Sequence, residues 1–150
     1  MPIISGKLIF DPMLNGKPCE PYWAIIQLEC DISEYYAWFL QRRYGISVIK
    51  PLWGPHVSVI RGEICDKLIW DKFKSEFNNK DIQFEYENGF KTNGQHWWLR
   101  VVCDEMKQMR ENMGYQSNGI GLHLTIGKPK PLHIQQTQYI HTLFKKGLIE

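Results

Sequence analysis

The feature that most constrains the fold is a segment order that occurs twice along the chain. Each occurrence is an apolar strand pattern, then a helix pattern, then a second strand pattern, and the two begin at Trp23 and Trp97. The second strands read HVSV at 56–59 and HLTI at 123–126. Because side chains alternate between the two faces of a strand, each presents one histidine and one hydroxyl on the same face. The repeat predicts two lobes related by approximate symmetry.

Hydrophobic periodicity and capping residues predict the remaining elements. Asp31 or Ser33 is expected to cap the first helix and Gly45 to end it, and Asp104 is expected to cap a later helix. Strands are predicted at 23–30, 56–60, 82–86, 97–102 and 122–126, helices at 35–44, 66–77, 104–113 and 136–146, and turns or loop at 11–21.

The composition is that of one globular domain spanning residues 1–150. The chain is 43% hydrophobic and 23% charged, which are ordinary values for a folded protein of this length. Its formal net charge of +2 makes it a poor ligand for long nucleic acid through charge alone, but leaves a small anionic ligand open. Aromatic residues make up 13% of the chain, and this excess fits either a stacking surface or core packing.

Cysteine spacing and hydropathy indicate the compartment. The 4 cysteines lack the Cys-x-x-Cys spacing of zinc sites and redox motifs, so a reducing intracellular environment is expected. The first ten residues are too short and too mixed for a signal peptide, and no apolar run reaches transmembrane length. We therefore expect a cytoplasmic protein without a membrane partner.

The paired histidine strands carry the chemistry. Buried polar groups are costly unless they are paired, so a face with His56 and Ser58, or with His123 and Thr125, is expected to line a cleft. Two imidazoles suit phosphodiester cleavage through an adjacent 2′-hydroxyl, with one as general base and the other as general acid. The two hydroxyls would hold the non-bridging oxygens, and no metal-ligand spacing accompanies either histidine. The alternative is that each histidine is satisfied by a neighbouring hydroxyl within a sheet.

Five segments resemble the 2H phosphoesterase superfamily, which includes the RNA 2′–5′ ligase-like proteins and the cyclic phosphodiesterases. Within it the resemblance is to the bacteriophage anti-CBASS enzymes, which degrade cyclic oligonucleotide immune signals. The segments are GKPCEPYWAIIQL (16–28), EYYAWFLQRRYG (34–45), LWGPHVSVIRGE (52–63), NGQHWWL (93–99) and GLHLTIGKP (121–129).

This resemblance implies a fold and an activity. The fold would be α+β and two-lobed, with antiparallel sheets flanked by helices around a central cleft. The activity would be cofactor- and metal-independent cleavage of 3′–5′ bonds in cyclic di- and trinucleotides such as 3′,3′-cGAMP, in the cytoplasm of an infected bacterial host. The family's catalytic positions fall on His56, Ser58, His123 and Thr125, with Ser58 where many members have threonine.

Arg61 and Trp98 are candidate substrate-binding residues in the second and fourth segments. Strand parity places Arg61 off the His56 face, so it reaches a phosphate only if the strand bends near Gly62; the alternative is an ion pair with Glu63. Trp97 and Trp98 point to opposite faces of one strand, and Trp98 has the parity of the more polar face. We therefore expect Trp98 in the cleft, where it can stack on a base.

Three further residues are candidates for substrate binding. Tyr22 precedes the first strand and is a candidate stacking residue. Tyr115 lies in the loop that leads to the second histidine strand and would form a lip of the cleft. Glu150 would accept hydrogen bonds from a base edge, as the family's C-terminal contacts suggest, although a disordered terminus is the alternative.

Two other functions stay open at this stage. The same catalysts serve RNA end processing, in which 2′,3′-cyclic phosphates are opened or 2′–5′ bonds are handled. The other is a non-catalytic function, either a binding module that sequesters a nucleotide without turnover or a small virion protein. The partner that the resemblance implies is a small cyclic oligonucleotide substrate, with no long nucleic acid and no membrane, and the sequence leaves the oligomeric state open.

Overall fold

The computed structural model describes residues 1–51, 53–116 and 121–130. Within these ranges the protein has nine strands and three helices, and every strand pairing is antiparallel. The predicted α+β class with antiparallel sheets is confirmed. The strands are β1 (Ile3–Phe10), β2 (Met13–Leu14), β3 (Lys17–Pro18), β4 (Ala24–Leu28), β5 (Val48–Ile49), β6 (His56–Ile60), β7 (Asp81–Thr92), β8 (Trp97–Val102) and β9 (His123–Pro129). The helices are α1 (Ile32–Tyr44), α2 (Lys67–Phe77) and α3 (Asp104–Asn112).

Helix ends follow the capping residues in two of the three helices. The Asp31 side chain accepts the backbone N–H of Glu34 at 3.1 Å, and Gly45 ends α1 in the left-handed conformation. The predicted cap at Asp104 is wrong: Cys103 is the N-cap and makes no side-chain cap bond, and Asp104 is the first helical residue. A carboxylate in the first turn still interacts favourably with the helix dipole.

The sheet order is β9-β6-β4-β1-β7-β8, and β8 pairs again with β9, so six strands close into a ring. β5 extends the sheet beside β9, and β2 and β3 form a separate two-stranded hairpin. The six strands form one closed ring, and the two-lobed arrangement stays a prediction.

The repeat is longer than the sequence indicated. The order strand, strand, helix, strand appears as β1-β4-α1-β6 and again as β7-β8-α3-β9. Each unit contributes three neighbouring strands to the ring, and register shifts occur at matching points, after Ala24 in β4 and after Trp97 in β8. The two units are therefore related by an approximate twofold arrangement.

Strand β1 had no counterpart among the predicted elements. It pairs with β4 on one side and β7 on the other, and so joins the two units. Gly6 permits this close approach, because a Cβ there would lie 2.4 Å from the backbone oxygen of Gln27.

One apolar cluster forms the core and receives side chains from all three helices, including Leu40, Trp70 and Met106. Val57 of β6 and Leu124 of β9 belong to it and are fully buried. The helix predicted at 136–146 lies outside the described residues. No helix in the described part of the chain has the length and apolar character needed to cross a membrane.

Candidate active site

Strands β6 and β9 lie side by side and bring the two histidine motifs together. Val57 pairs with Leu124 in antiparallel register. His56 therefore lies opposite Thr125, and Ser58 lies opposite His123. Because Val57 and Leu124 point into the core, the histidines and hydroxyls share the other face of the sheet.

That face borders a cavity of about 530 Å³. All four candidate catalytic side chains line it: His56, Ser58, His123 and Thr125. Its charged lining residues are the cations Arg61, Arg100, Lys107 and Arg110 and the carboxylates Glu63 and Asp104. The excess of cations suits an anionic ligand, and the volume is typical of a small-molecule site.

A matching backbone contact orients each imidazole. The Nδ1 atom of His56 lies 2.8 Å from the carbonyl oxygen of Gly54, and Nδ1 of His123 lies 3.4 Å from that of Gly121. Both glycines have positive φ, at 81° and 71°. A ring whose Nδ1–H donates to a carbonyl has Nε2 left for proton transfer. The extended pattern Gly-x-His-x-Ser/Thr therefore specifies the ring orientation as well as the candidate catalytic residues.

His56 is the more enclosed of the two histidines. Its ring lies 5.8 Å from the ring of Trp23 in an edge-to-face arrangement. Burial lowers the pKa of His56 below its ordinary value, the Gly54 carbonyl partly opposes this, and Arg61 and His123 lower it further. The lowered pKa favours the neutral form of His56, which is the form that a general base requires.

Trp23 makes a hydrogen bond that orients the Ser58 hydroxyl. The indole Nε1–H of Trp23 donates to Ser58 Oγ at 3.1 Å, and Trp23 is 3% exposed. An indole N–H only donates, so the serine oxygen is the acceptor and its own proton stays available for the cavity. Sequence reasoning missed this role, because Trp23 is local in sequence to β4 and meets Ser58 only through the pairing of β4 with β6.

Arg61 reaches the cavity, as the sequence allowed if the strand bent near Gly62. Strand β6 ends at Ile60, and Gly62 has φ 72°. The Arg61 guanidinium lies 4.8 Å from the centroid of the Trp23 ring and binds both carboxylate oxygens of Glu20. The alternative ion pair with Glu63 is wrong, since Glu63 pairs with another arginine.

That arginine is Arg110 of α3, a residue that sequence reasoning did not single out. It is 7% exposed and binds both carboxylate oxygens of Glu63, at 2.7 and 2.8 Å. It also donates to the carbonyls of Val59 and Gln116 at 2.8 and 3.0 Å. Arg110 thereby ties the end of β6 to α3 and to the segment that leads to β9. The sequence pattern that could have identified Arg110 is a charged residue on the helix face that carries methionines at 106, 109 and 113.

Trp97 and Trp98 divide between the two faces as predicted. Trp97 is fully buried in the core, and the half-buried Trp98 has its ring 6.1 Å from that of His123. Trp98 also pairs in register with Thr125. Trp98 is not among the described residues that line the cavity, and its base-stacking role stays a prediction.

Tyr22 and Tyr115 make their contacts within the protein, and their roles in substrate binding stay predictions. The backbone at Tyr22 is left-handed, and its ring packs edge-to-face on Trp70 of α2 at 5.3 Å. The Tyr115 hydroxyl is buried near Cys65, which raises its pKa, and its ring lies 5.1 Å from the Arg110 guanidinium. Neither is among the described residues that line the cavity. Glu150 lies outside the described residues.

The potential of the site to bind a metal and its similarity to known proteins complete its description. In the described part of the chain, no group of three or more His, Cys, Asp or Glu side chains is placed to hold a metal ion. No protein-family model, curated protein or solved structure matches the chain.

Proposed function

We propose that this protein is a phosphodiesterase that cleaves 3′–5′ bonds in small cyclic oligonucleotides without a metal ion. The observation that carries the proposal is the antiparallel register of β6 and β9, with two histidine–hydroxyl pairs on one cavity. The two units β1-β4-α1-β6 and β7-β8-α3-β9 support the two-lobed 2H phosphoesterase arrangement, with the site between their last strands.

The two histidines have different roles. His56, whose pKa is lowered, takes the proton of the 2′-hydroxyl on Nε2. The 2′-oxygen then attacks phosphorus while the bond from phosphorus to the 5′-oxygen breaks, and the leaving oxygen takes the proton from Nε2 of His123. The products of this step are a 2′,3′-cyclic phosphate end and a 5′-hydroxyl end.

The hydroxyls of Ser58 and Thr125 bind the non-bridging phosphate oxygens. Negative charge grows on these oxygens in the transition state, so a preoriented O–H donor stabilises it more than the ground state. The Ser58 proton is available for this because its oxygen already accepts the Trp23 indole N–H.

The cavity favours a small cyclic substrate over an RNA end. Its volume of about 530 Å³ fits a compact ligand, and two of its four cations are each bound to both oxygens of one carboxylate. An extended basic track for RNA would leave more of these charges unpaired. The resemblance supplies the biological setting: a cytoplasmic enzyme with which a phage evades CBASS defence of its bacterial host.

The test uses purified protein in the presence of EDTA. It is incubated with 3′,3′-cGAMP and, separately, with an RNA oligomer that ends in a 2′,3′-cyclic phosphate, and the products are separated by chromatography. His56→Ala is the inactive control. His96→Ala is the matched control, because His96 is exposed and is not among the described residues of the cavity.

Cleavage of the cyclic dinucleotide that is lost only in His56→Ala is the expected result. Cleavage of the RNA end alone would assign the protein to RNA processing. Tight binding without cleavage would make it a sequestering protein, and equal loss in both histidine variants would rule out the assigned role of His56.

A further inference from the structure

The residues beside the two histidines differ in charge, which breaks the approximate twofold relation between the two units. Four strands lie side by side in the order β4, β6, β9, β8. Across them, one row of side chains is Ile25, Ser58, His123 and Arg100, and the adjacent row is Gln27, His56, Thr125 and Trp98. The twofold relation exchanges the two rows, so Arg100 beside His123 corresponds to Gln27 beside His56.

Arg100 has capacity to bind an anion. It contacts Glu87 through Nη1 alone, at 2.6 Å, and its side chain is 53% exposed. A guanidinium has five N–H groups, so most of them remain for a ligand. Arg61 and Arg110 differ in this respect, because each binds both oxygens of a carboxylate.

The Arg100 guanidinium is directed away from the place proposed for the reacting phosphate. Glu87 lies on β7, which is the strand beyond β8 as seen from the histidines. The ion pair therefore draws the guanidinium away from the space between β6 and β9. Lys107 of α3 lines the same cavity, and its ammonium has no ion-pair partner within the described ranges.

We propose that Arg100 and Lys107 form a subsite for a second, non-scissile phosphate, so that the protein selects ligands with at least two phosphodiester groups. This inference rests on the proposed function in placing the scissile phosphate between His56 and His123. Gln27, at the corresponding place in the other unit, is neutral and donates to the carbonyl of Pro55 at 3.1 Å. The second phosphate is therefore held on the β8 side only.

Binding measurements test the subsite without depending on turnover. The probes are a 2′-deoxy cyclic dinucleotide with two phosphates and the linear 2′-deoxy dinucleoside monophosphate with the same bases and one phosphate. Both lack the attacking hydroxyl, and their dissociation constants are measured by calorimetry with wild-type protein and variants.

Arg100→Gln, which copies the residue of the related strand, is expected to weaken binding of the two-phosphate probe about tenfold. Binding of the one-phosphate probe should change less than about twofold. Glu87→Gln frees the guanidinium and is expected to strengthen binding of the two-phosphate probe about threefold. Arg100→Lys should restore most of the affinity, which excludes misfolding as the cause. Lys72→Gln on α2 is the control for loss of one positive charge outside the cavity lining.

Equal weakening of both probes by Arg100→Gln would place the arginine on the scissile phosphate and overturn the subsite, as would no effect on either. The two proposals can fail separately. If wild-type protein cleaves the ribose form of the cyclic dinucleotide but Arg100→Gln changes the dissociation constants of both probes equally, the activity stands and the subsite fails. If the probes are discriminated and nothing is cleaved, the subsite stands and the phosphodiesterase assignment fails.

Discussion

Replacing Trp23 by Phe removes one hydrogen bond from the site and keeps an aromatic ring in place. The lost bond is the 3.1 Å contact from the indole to Ser58 Oγ. A neutral hydrogen bond contributes about 0.5–1.5 kcal/mol net, so a hydroxyl that depends on it for orientation should lower kcat roughly threefold to tenfold. KM should change little, because the hydroxyl acts on charge that develops in the transition state.

The substitution also removes buried volume, and a matched variant separates that effect. Trp70 lies on α2 and is likewise 3% exposed, and its indole N–H donates to the Asp11 carboxylate at 3.1 Å. Trp70→Phe should therefore lose a similar amount of stability, about 1–2 kcal/mol by urea denaturation, while kcat stays unchanged. Both variants are compared with wild type by steady-state cleavage of 3′,3′-cGAMP.

A double-mutant cycle with Ser58→Ala gives the decisive result. If Trp23 acts through the serine hydroxyl, Trp23→Phe has no further effect on kcat once Ser58 is alanine. An equal loss of kcat in both backgrounds, or an equal loss in Trp70→Phe, would refute the positioning role.

The remaining predictions concern the histidines, the serine and the buried arginine. His56→Ala and His123→Ala should each lower turnover roughly 10³-fold or more with ligand binding retained, and a change below tenfold would remove that residue from the mechanism. Ser58→Ala should lower kcat about 10²-fold in the same assay, and an unchanged kcat would contradict its role as an oxyanion donor. Because the pKa of His56 is lowered in the folded protein, stability should fall as pH decreases from about 6.5, where the unfolded chain begins to bind the proton first. Urea denaturation at several pH values should show a smaller fall in His56→Gln, and parallel curves would contradict the assigned burial effect. Arg110→Met should cost about 2–3 kcal/mol of stability by leaving Glu63 unpaired, and additional replacement of Glu63 by Leu should restore part of it.

Local pattern was sufficient for the two histidine-bearing strands. The bounds of β6 were predicted as found, and alternation in HVSV and HLTI identified which side chains share a face. That the faces meet depends on the pairing of β6 with β9, and the repeat of the motif gave the reason to expect it. The caps at Asp31 and Gly45 were also readable, since capping depends on residues within one turn.

Long-range contacts account for what the sequence did not reveal. Strand β1 has a mixed pattern that includes a glycine and a lysine, and only its pairing with two strands explains it. Trp23 and Arg110 act on β6 from positions 35 and 51 residues away, respectively. Tyr22 was a candidate for stacking and Tyr115 for a lip of the cleft from their places along the chain, and their contacts with Trp70 and Arg110 could not be predicted from local pattern.

The single register pair between β6 and β9 has a consequence for folding. It joins Val57 to Leu124, so the site contains two segments from opposite halves of the chain. The entropy of closing this long loop must be paid before the contact is stabilising, and one register pair gives little in return, so we expect the contact to form late in folding. We therefore expect catalytic competence to appear only with the final ordering of the ring, so recovery of activity after dilution from urea should not precede recovery of tertiary structure. The same thin junction should be among the first parts of the ring to exchange its amide hydrogens.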